Sequence, residues 1–144
     1  FMNLAFFGCI LMLRRDDKYF ENIEDLSGLS KHHPILSFSF LIVLFSLAGI
    51  PPLAGFFAKF YIFTAVLEQS MYFLAIVGLL STVISAYYYL RLIKIIYFDP
   101  EKEKYETNHN IGLKISLLIS SIFILFYFVY PGWLIEIIEN IIII

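Results

Sequence analysis

Apolar and polar positions fall along this chain in blocks. Apolar stretches cover 1–13, 35–67, 72–98 and 111–130, with polar segments between them. A membrane-spanning helix needs about 20 apolar residues, so 72–98 and 111–130 have the length of spans. The first stretch is short for one. The second is too long: 33 helical residues at 1.5 Å each would reach about 50 Å, against a hydrocarbon core of about 30 Å. In its middle stands Gly49-Ile50-Pro51-Pro52-Leu53-Ala54-Gly55. Two successive prolines remove two donors and clash with the preceding turn, so a helix must break there. The segment is either a hairpin of two short helices or one crossing made of two half-helices.

Charge decides between the two. The ten cations are Arg14, Arg15, Lys18, Lys31, Lys59, Arg91, Lys94, Lys102, Lys104 and Lys114. With a single crossing, nine of them lie in loops 14–33 and 99–110 or at the flanking helix ends, all on one side. The other side receives Leu67-Glu68-Gln69-Ser70-Met71 and the tail after Tyr130, which carry no Lys or Arg. That is a positive-inside pattern. A hairpin would have arms of about 15 residues, too short to span, and would split the cations between the sides.

The expected architecture is an all-α membrane protein with four transmembrane crossings, the second discontinuous at Gly49–Gly55. Residues 1–13 form a helix incomplete at its start, and 14–33 a loop. Residues 34–67 form the broken helix, with Pro34 in its first turn, where a missing donor costs nothing. Residues 72–98 form the third helix, 99–110 a loop, 111–130 the fourth helix and 131–144 a tail on the far side. Residue 1 is Phe, and no loop precedes the first helix. The chain therefore reads as a fragment or a split product, with an unusual initiation codon as the bland alternative. The basic residues follow the first apolar run, which fits a signal peptide poorly.

Composition agrees. Of the 144 residues, 60% are apolar, 19% aromatic and 15% charged, and mean hydropathy is +0.84, which excludes an ordinary soluble domain. A net charge of −2 points away from nucleic acid. The single cysteine, Cys9, allows no internal disulfide, and no Cys/His cluster suggests a metal or other cofactor.

The tenth cation, Lys59, stands apart. It lies four residues past Gly55, several turns from the cationic side. A cation near the bilayer centre costs roughly 2.5–3.5 kcal/mol on the insertion scale, so such residues usually face a bundle interior or a hydrated path. A lysine can also give up its proton there, which makes Lys59 a candidate proton carrier. Unwound backbone at membrane depth survives where it is packed in protein or lines water, and it is the common construction of ion sites in transporters. Against this stand snorkelling to the far headgroups and a purely structural pairing.

Other residues have two readings each. Gly78, Ser81, Thr82, Ser85 and Tyr89 share one face of helix 72–98, suited to close packing or to lining a proton path. Tyr87, Tyr88 and Tyr89 with Arg91 and Lys94 make an interface anchor, and Arg91 and Lys94 could also hold an anionic lipid such as cardiolipin. His32 and His33 form a solvated junction or feed protons inward. Ser46 and Thr64 flank the break and could bond freed backbone groups, Ser46 with the better position. Glu68, Glu136 and Glu139 lie on the far side and receive no catalytic role.

The run Ser46–Tyr61, SLAGIPPLAGFFAKFY, resembles the broken twelfth helix of the antiporter-like membrane subunits of respiratory complex I. The resemblance is to the family of NADH dehydrogenase subunit 2 and bacterial subunit N. Asp25–Pro34 looks like the loop leading into that helix, and Ser85–Lys94 like the end of the next. The resemblance runs from about residue 2 to 98; the last third is similar only in being one more helix. Members have fourteen helices and this chain resembles the last four, so the family's glutamate and its other two membrane lysines are absent. What the resemblance implies is a C-terminal portion of the subunit, docked on a separate N-terminal piece and on neighbouring membrane subunits including subunit 4. Lys59 matches the family's proton-exchanging lysine of the twelfth helix. NADH oxidation and ubiquinone reduction would occur in other subunits. An Ile/Phe/Tyr/Lys-rich composition suits an organellar gene, which implies the mitochondrial inner membrane with loops 14–33 and 99–110 in the matrix. A small oligomeric secondary ion or proton transporter, or a structural membrane subunit with no transport role, are the alternatives.

Overall fold

The computed structural model describes residues 2–15, 18, 19, 22–100, 106, 107, 111–127 and 132. Six α-helices account for most of them. In chain order these are α1 (Met2–Met12), α2 (Leu29–His32), α3 (Pro34–Ala48), α4 (Ala54–Glu68), α5 (Tyr72–Phe98) and α6 (Ile111–Phe126). A 3-10 turn at Ile23–Leu26 precedes α2.

The fold is mostly helical rather than all-α. Three short strands, β1 (Leu13–Arg15), β2 (Lys18–Tyr19) and β3 (Glu106–Thr107), form an antiparallel sheet in the order β2-β1-β3. Arg14 pairs with Tyr19 on one side and with Glu106 on the other. Strands of two or three residues show no alternation that a sequence could reveal. Their effect is architectural, because β3 ties the segment after α5 to the segment after α1.

Helix α3 is the centre of the bundle, packed against α1, α4, α5 and α6. Nine of its fifteen residues are buried: Leu36, Ser37, Ser39, Phe40, Ile42, Val43, Leu44, Ser46 and Ala48. One core cluster joins Leu36, Phe40 and Leu44 to Cys9, Leu13, Leu29, Ile96 and Leu117 near the sheet. A second joins Ile42 and Val43 to Ala5, Leu53 and Ile124. The 3-10 turn and α2 are pinned to the end of α5: the Gly28 N–H donates to the Ile95 carbonyl (3.2 Å) and the Ser27 hydroxyl to the Pro100 carbonyl (2.7 Å). Ile95 is one of the last-turn carbonyls that α5 leaves without a helical partner.

The outer helices are apolar where they face outward. In α4 only Gly55 is buried, and in α5 only Ile93, Ile95 and Ile96. Phe73, Ile76, Leu80, Val83 and Ile84 of α5 are all more than half exposed. Continuous apolar surface of this extent requires lipid or further protein against it. Among the described residues α5, with 27, is the one helix long and apolar enough to cross a membrane by itself; α1, α3 and α6 are shorter apolar helices. The acids Glu136 and Glu139 and most of tail 131–144 lie outside the described residues.

Candidate functional site

The break between α3 and α4 is built from a few local interactions. Gly49 adopts φ +86°, the left-handed conformation that ends a helix and that glycine reaches without penalty. Its N–H donates to the Ser46 carbonyl (3.0 Å) and the Ile50 N–H to the Phe45 carbonyl (3.0 Å), the paired bonds of a Schellman end. Pro51 and Pro52, joined by a cis bond, continue the turn. The Leu53 N–H donates to Ile50 (3.2 Å), and α4 starts one residue later.

A helix end leaves four carbonyls without helical partners. Phe45 and Ser46 are served by the turn. The other two, Leu47 and Ala48, accept hydrogen bonds from the Lys59 ammonium at 2.9 and 3.0 Å. Lys59 therefore sits on the negative end of the α3 dipole, equivalent to about half an elementary charge. Its side chain runs back toward the start of α4, as helical side chains do, and not toward Glu68. No charged partner for Lys59 could be read from the sequence, and the partners in the structure are main-chain carbonyls. A signal for it was present: Lys59 lies in the second turn of a helix that starts six residues after α3 ends, and a lysine near a helix C-terminus can bond its last carbonyls.

Ser46 and Gly55 lock the two helices together. Gly55 is buried at the start of α4, and its N–H, an orphan donor of the helix start, donates to the Ser46 hydroxyl oxygen at 3.0 Å. The Ser46 hydroxyl in turn lies 3.0 Å from the Met2 sulfur. A Cβ on Gly55 would overlap the Ser46 carbonyl oxygen, so only glycine permits this approach. Thr64, by contrast, bonds the Phe60 carbonyl of its own helix (2.9 Å) and serves no freed group.

A cleft of about 280 Å³ opens beside Lys59. Ser46, Gly55 and Lys59 line it from the break, and Ser81, Thr82, Ser85 and Tyr89 from α5. The short connection after Glu68 makes α4 and α5 antiparallel neighbours, and Gly78 lets them close up: a Cβ there would stand 2.9 Å from the Phe63 ring. Thr82 and Ser85 donate to the carbonyls of Gly78 (3.0 Å) and Ser81 (2.9 Å) within α5. Their protons are thus committed, and their oxygens remain acceptors for an ammonium or a water.

The other singled-out residues lie elsewhere. Pro51 and Pro52 are exposed at the turn. Arg91 and Lys94 border a separate polar cleft of about 230 Å³ with Glu24, Ser27 and Asp99. Lys94 stands 3.8 Å from Asp99, so its cations and acids are mixed. His32 and His33 do not line the Lys59 cleft; they border a groove between α3 and α6.

Helices that are apolar outward as well as inward, with one cation set at a helix break, define a helical membrane protein. Residues 1–85 match the NADH:quinone oxidoreductase/Mrp antiporter transmembrane family, and the chain belongs to that family. A relative named NADH-quinone oxidoreductase subunit N, from Pelagibacter ubique, is 71% identical over 140 residues, covering 97% of this chain and 30% of its own length. The protein of that name from Parvibaculum lavamentivorans is 49% identical over 134 residues, covering 93% of this chain and 28% of its own. A chain of respiratory complex I from Thermus thermophilus with bound aureothin superposes with a TM-score of 0.71 at 28% identity, covering 90% of this chain and 29% of that one. The chain thus spans about 30% of the length of the curated relatives it matches. The likeness to subunit N noted on the sequence is shown. It also extends further than the sequence suggested, through most of the last third.

Proposed function

We propose that this chain is the C-terminal portion of an antiporter-like membrane subunit of a proton-translocating NADH:quinone oxidoreductase, and that Lys59 relays protons toward its outer side. NADH oxidation and quinone reduction take place in other subunits. The observation that carries the reading is the position of the Lys59 ammonium, on the freed carbonyls of Leu47 and Ala48 and beside the hydroxyl-lined cleft. Held there, a protonated Lys59 is stabilised by the α3 dipole. On losing its proton it loses that attraction, and the oxygens of Ser85 and Tyr89 offer it and water an alternative set of partners.

The same proposal has four crossings, with α3 and α4 as two halves of the second. Each half has 15 residues, or roughly 22 Å, too short to cross alone. Pairing of β1 with β3 supports a common side for loops 14–33 and 99–110, and these loops with their flanking helix ends hold nine of the ten cations. By the positive-inside rule that side is the matrix in an organelle and the cytoplasm in a bacterium, and the relatives named above are bacterial. Partners in this reading are a separate N-terminal piece, neighbouring membrane subunits including subunit 4, and cardiolipin at Arg91 and Lys94.

The test is proton translocation per NADH oxidised in vesicles carrying the assembled enzyme with Lys59→Met. Reduced translocation with normal assembly is expected; unchanged translocation would remove Lys59 from the path. A second reading has an observation of its own: the two carbonyl bonds make Lys59 a structural cap that only holds α3 against α4. In that case Lys59→Met impairs assembly before it impairs translocation.

A further inference from the structure

Backbone conformation and space make different demands at Gly49. Its φ of +86° admits asparagine as well as glycine, since asparagine is the second residue found at such helix ends. The space beside it, with Lys59 in place, admits neither asparagine nor alanine. A Cβ on Gly49 would stand 2.9 Å from Lys59 Cδ, 3.1 Å from Lys59 Nζ and 3.4 Å from Lys59 Cε. The lysine stem therefore lies directly on the Gly49 backbone. Lying there, its ammonium reaches the Leu47 and Ala48 carbonyls at 2.9 and 3.0 Å.

The obstacle differs in kind from the one at Gly55. There the nearest atoms are the Ser46 carbonyl group and hydroxyl, so added volume pushes two helices apart. At Gly49 the nearest atoms all belong to the end of one flexible side chain, which can change rotamer without moving a helix. It also has somewhere to go, because the cleft of about 280 Å³ beside it is lined by Ser81, Ser85 and Tyr89 of α5. An asparagine at this position, whose amide extends beyond Cβ, fills more of the lysine's place than alanine does. The turn then keeps its conformation and Lys59 loses its carbonyls. A glycine needed only for its φ would instead make asparagine a near-silent replacement.

We infer that Gly49 is a positioning residue for Lys59: its missing side chain is the seat from which the ammonium reaches the Leu47 and Ala48 carbonyls, and a side chain there pushes the ammonium off them into the cleft beside α5. The displacement follows from the contacts alone; its consequence for proton movement rests on the proposed role of Lys59.

The test uses the assembled membrane enzyme with Gly49→Asn, with Lys59→Ala and with both. Protons translocated per NADH oxidised are counted in vesicles, and electron cryomicroscopy locates Lys59 in Gly49→Asn. That variant should assemble, with Lys59 Nζ more than about 3.5 Å from both carbonyl oxygens, beyond a direct hydrogen bond. Its translocation should fall to the Lys59→Ala level, and the double variant should fall no further, because the two changes act through one group. A Lys59 still bonded to either carbonyl would overturn the inference. So would wild-type translocation in Gly49→Asn where Lys59→Ala lowers it, or an equal loss from Gly49→Asn with and without the lysine. If Gly49→Asn fails to assemble, the double variant decides: assembly restored to the Lys59→Ala level supports the contact with Lys59, and continued failure overturns it. Unchanged translocation in Lys59→Ala, with Lys59 displaced in Gly49→Asn, would instead remove the relay reading and leave the positioning intact.

Discussion

Replacing Gly55 with alanine perturbs the helix break at its tightest point. The added Cβ would overlap the Ser46 carbonyl oxygen, stand 2.6 Å from the Ser46 carbonyl carbon and lie 3.0 Å from its hydroxyl oxygen. The obstacle is backbone, so α3 and α4 must move apart. Overpacking of this kind costs about 1–3 kcal/mol. Separation also breaks the buried Gly55 N–H to Ser46 Oγ bond, worth about 1–2 kcal/mol more once the orphaned donor is counted. The expected loss is therefore about 2–5 kcal/mol. Gly8 in α1 is the matched control, with nothing within 4 Å of its added Cβ. Alanine there should be neutral or stabilising by up to about 1 kcal/mol, since glycine weakens a helix interior. Unfolding in mixed micelles by a denaturing detergent, followed by helical circular dichroism, compares the two variants. Adding Ser46→Ala should not rescue Gly55→Ala, because the nearest obstacle is the carbonyl and not the hydroxyl. If Gly55→Ala unfolds with Gly8→Ala, the close approach of α3 and α4 is wrong.

Three further outcomes follow from the same geometry. Gly49→Ala places a side chain at φ +86° and should cost about 1–2 kcal/mol in the same unfolding assay, with Gly49→Asn costing less because asparagine tolerates that conformation. Ser46→Ala removes the acceptor of the Gly55 N–H and should cost about 1–2 kcal/mol, whereas Thr64→Ala, which removes only a bond within one helix turn, should cost less than half as much. Lys94→Gln should change stability by less than about 0.5 kcal/mol, since its side chain is 71% exposed and its partner Asp99 is 3.8 Å away.

Where the chain's local chemistry is strong, the sequence could be read directly. Pro34 opens α3 and Gly49 closes it, each through a backbone property that no neighbour can change. The single face carrying Ser81, Thr82, Ser85 and Tyr89 was visible from helical spacing, and the short turn before α5 put that face next to α4. What could not be read depends on distant partners. The β1–β3 pairing joins segments more than ninety residues apart through two or three residues each. Nothing in composition marks α3 as the central helix, because α5 is also strongly apolar and yet lies mostly exposed. The partner of Lys59 is illegible for a different reason: a charge pattern shows side chains only, and the compensation comes from two main-chain carbonyls.

Lys59→Arg measures the central claim most directly. Arginine keeps the positive charge and can still donate to Leu47 and Ala48, but it does not release its proton in a protein. The measurement is the number of protons translocated per NADH oxidised by the assembled enzyme in vesicles, with assembly checked on native gels. If Lys59 is a relay, the enzyme assembles and the stoichiometry falls. Wild-type stoichiometry in an assembled Lys59→Arg enzyme would contradict the account and leave Lys59 a structural cap.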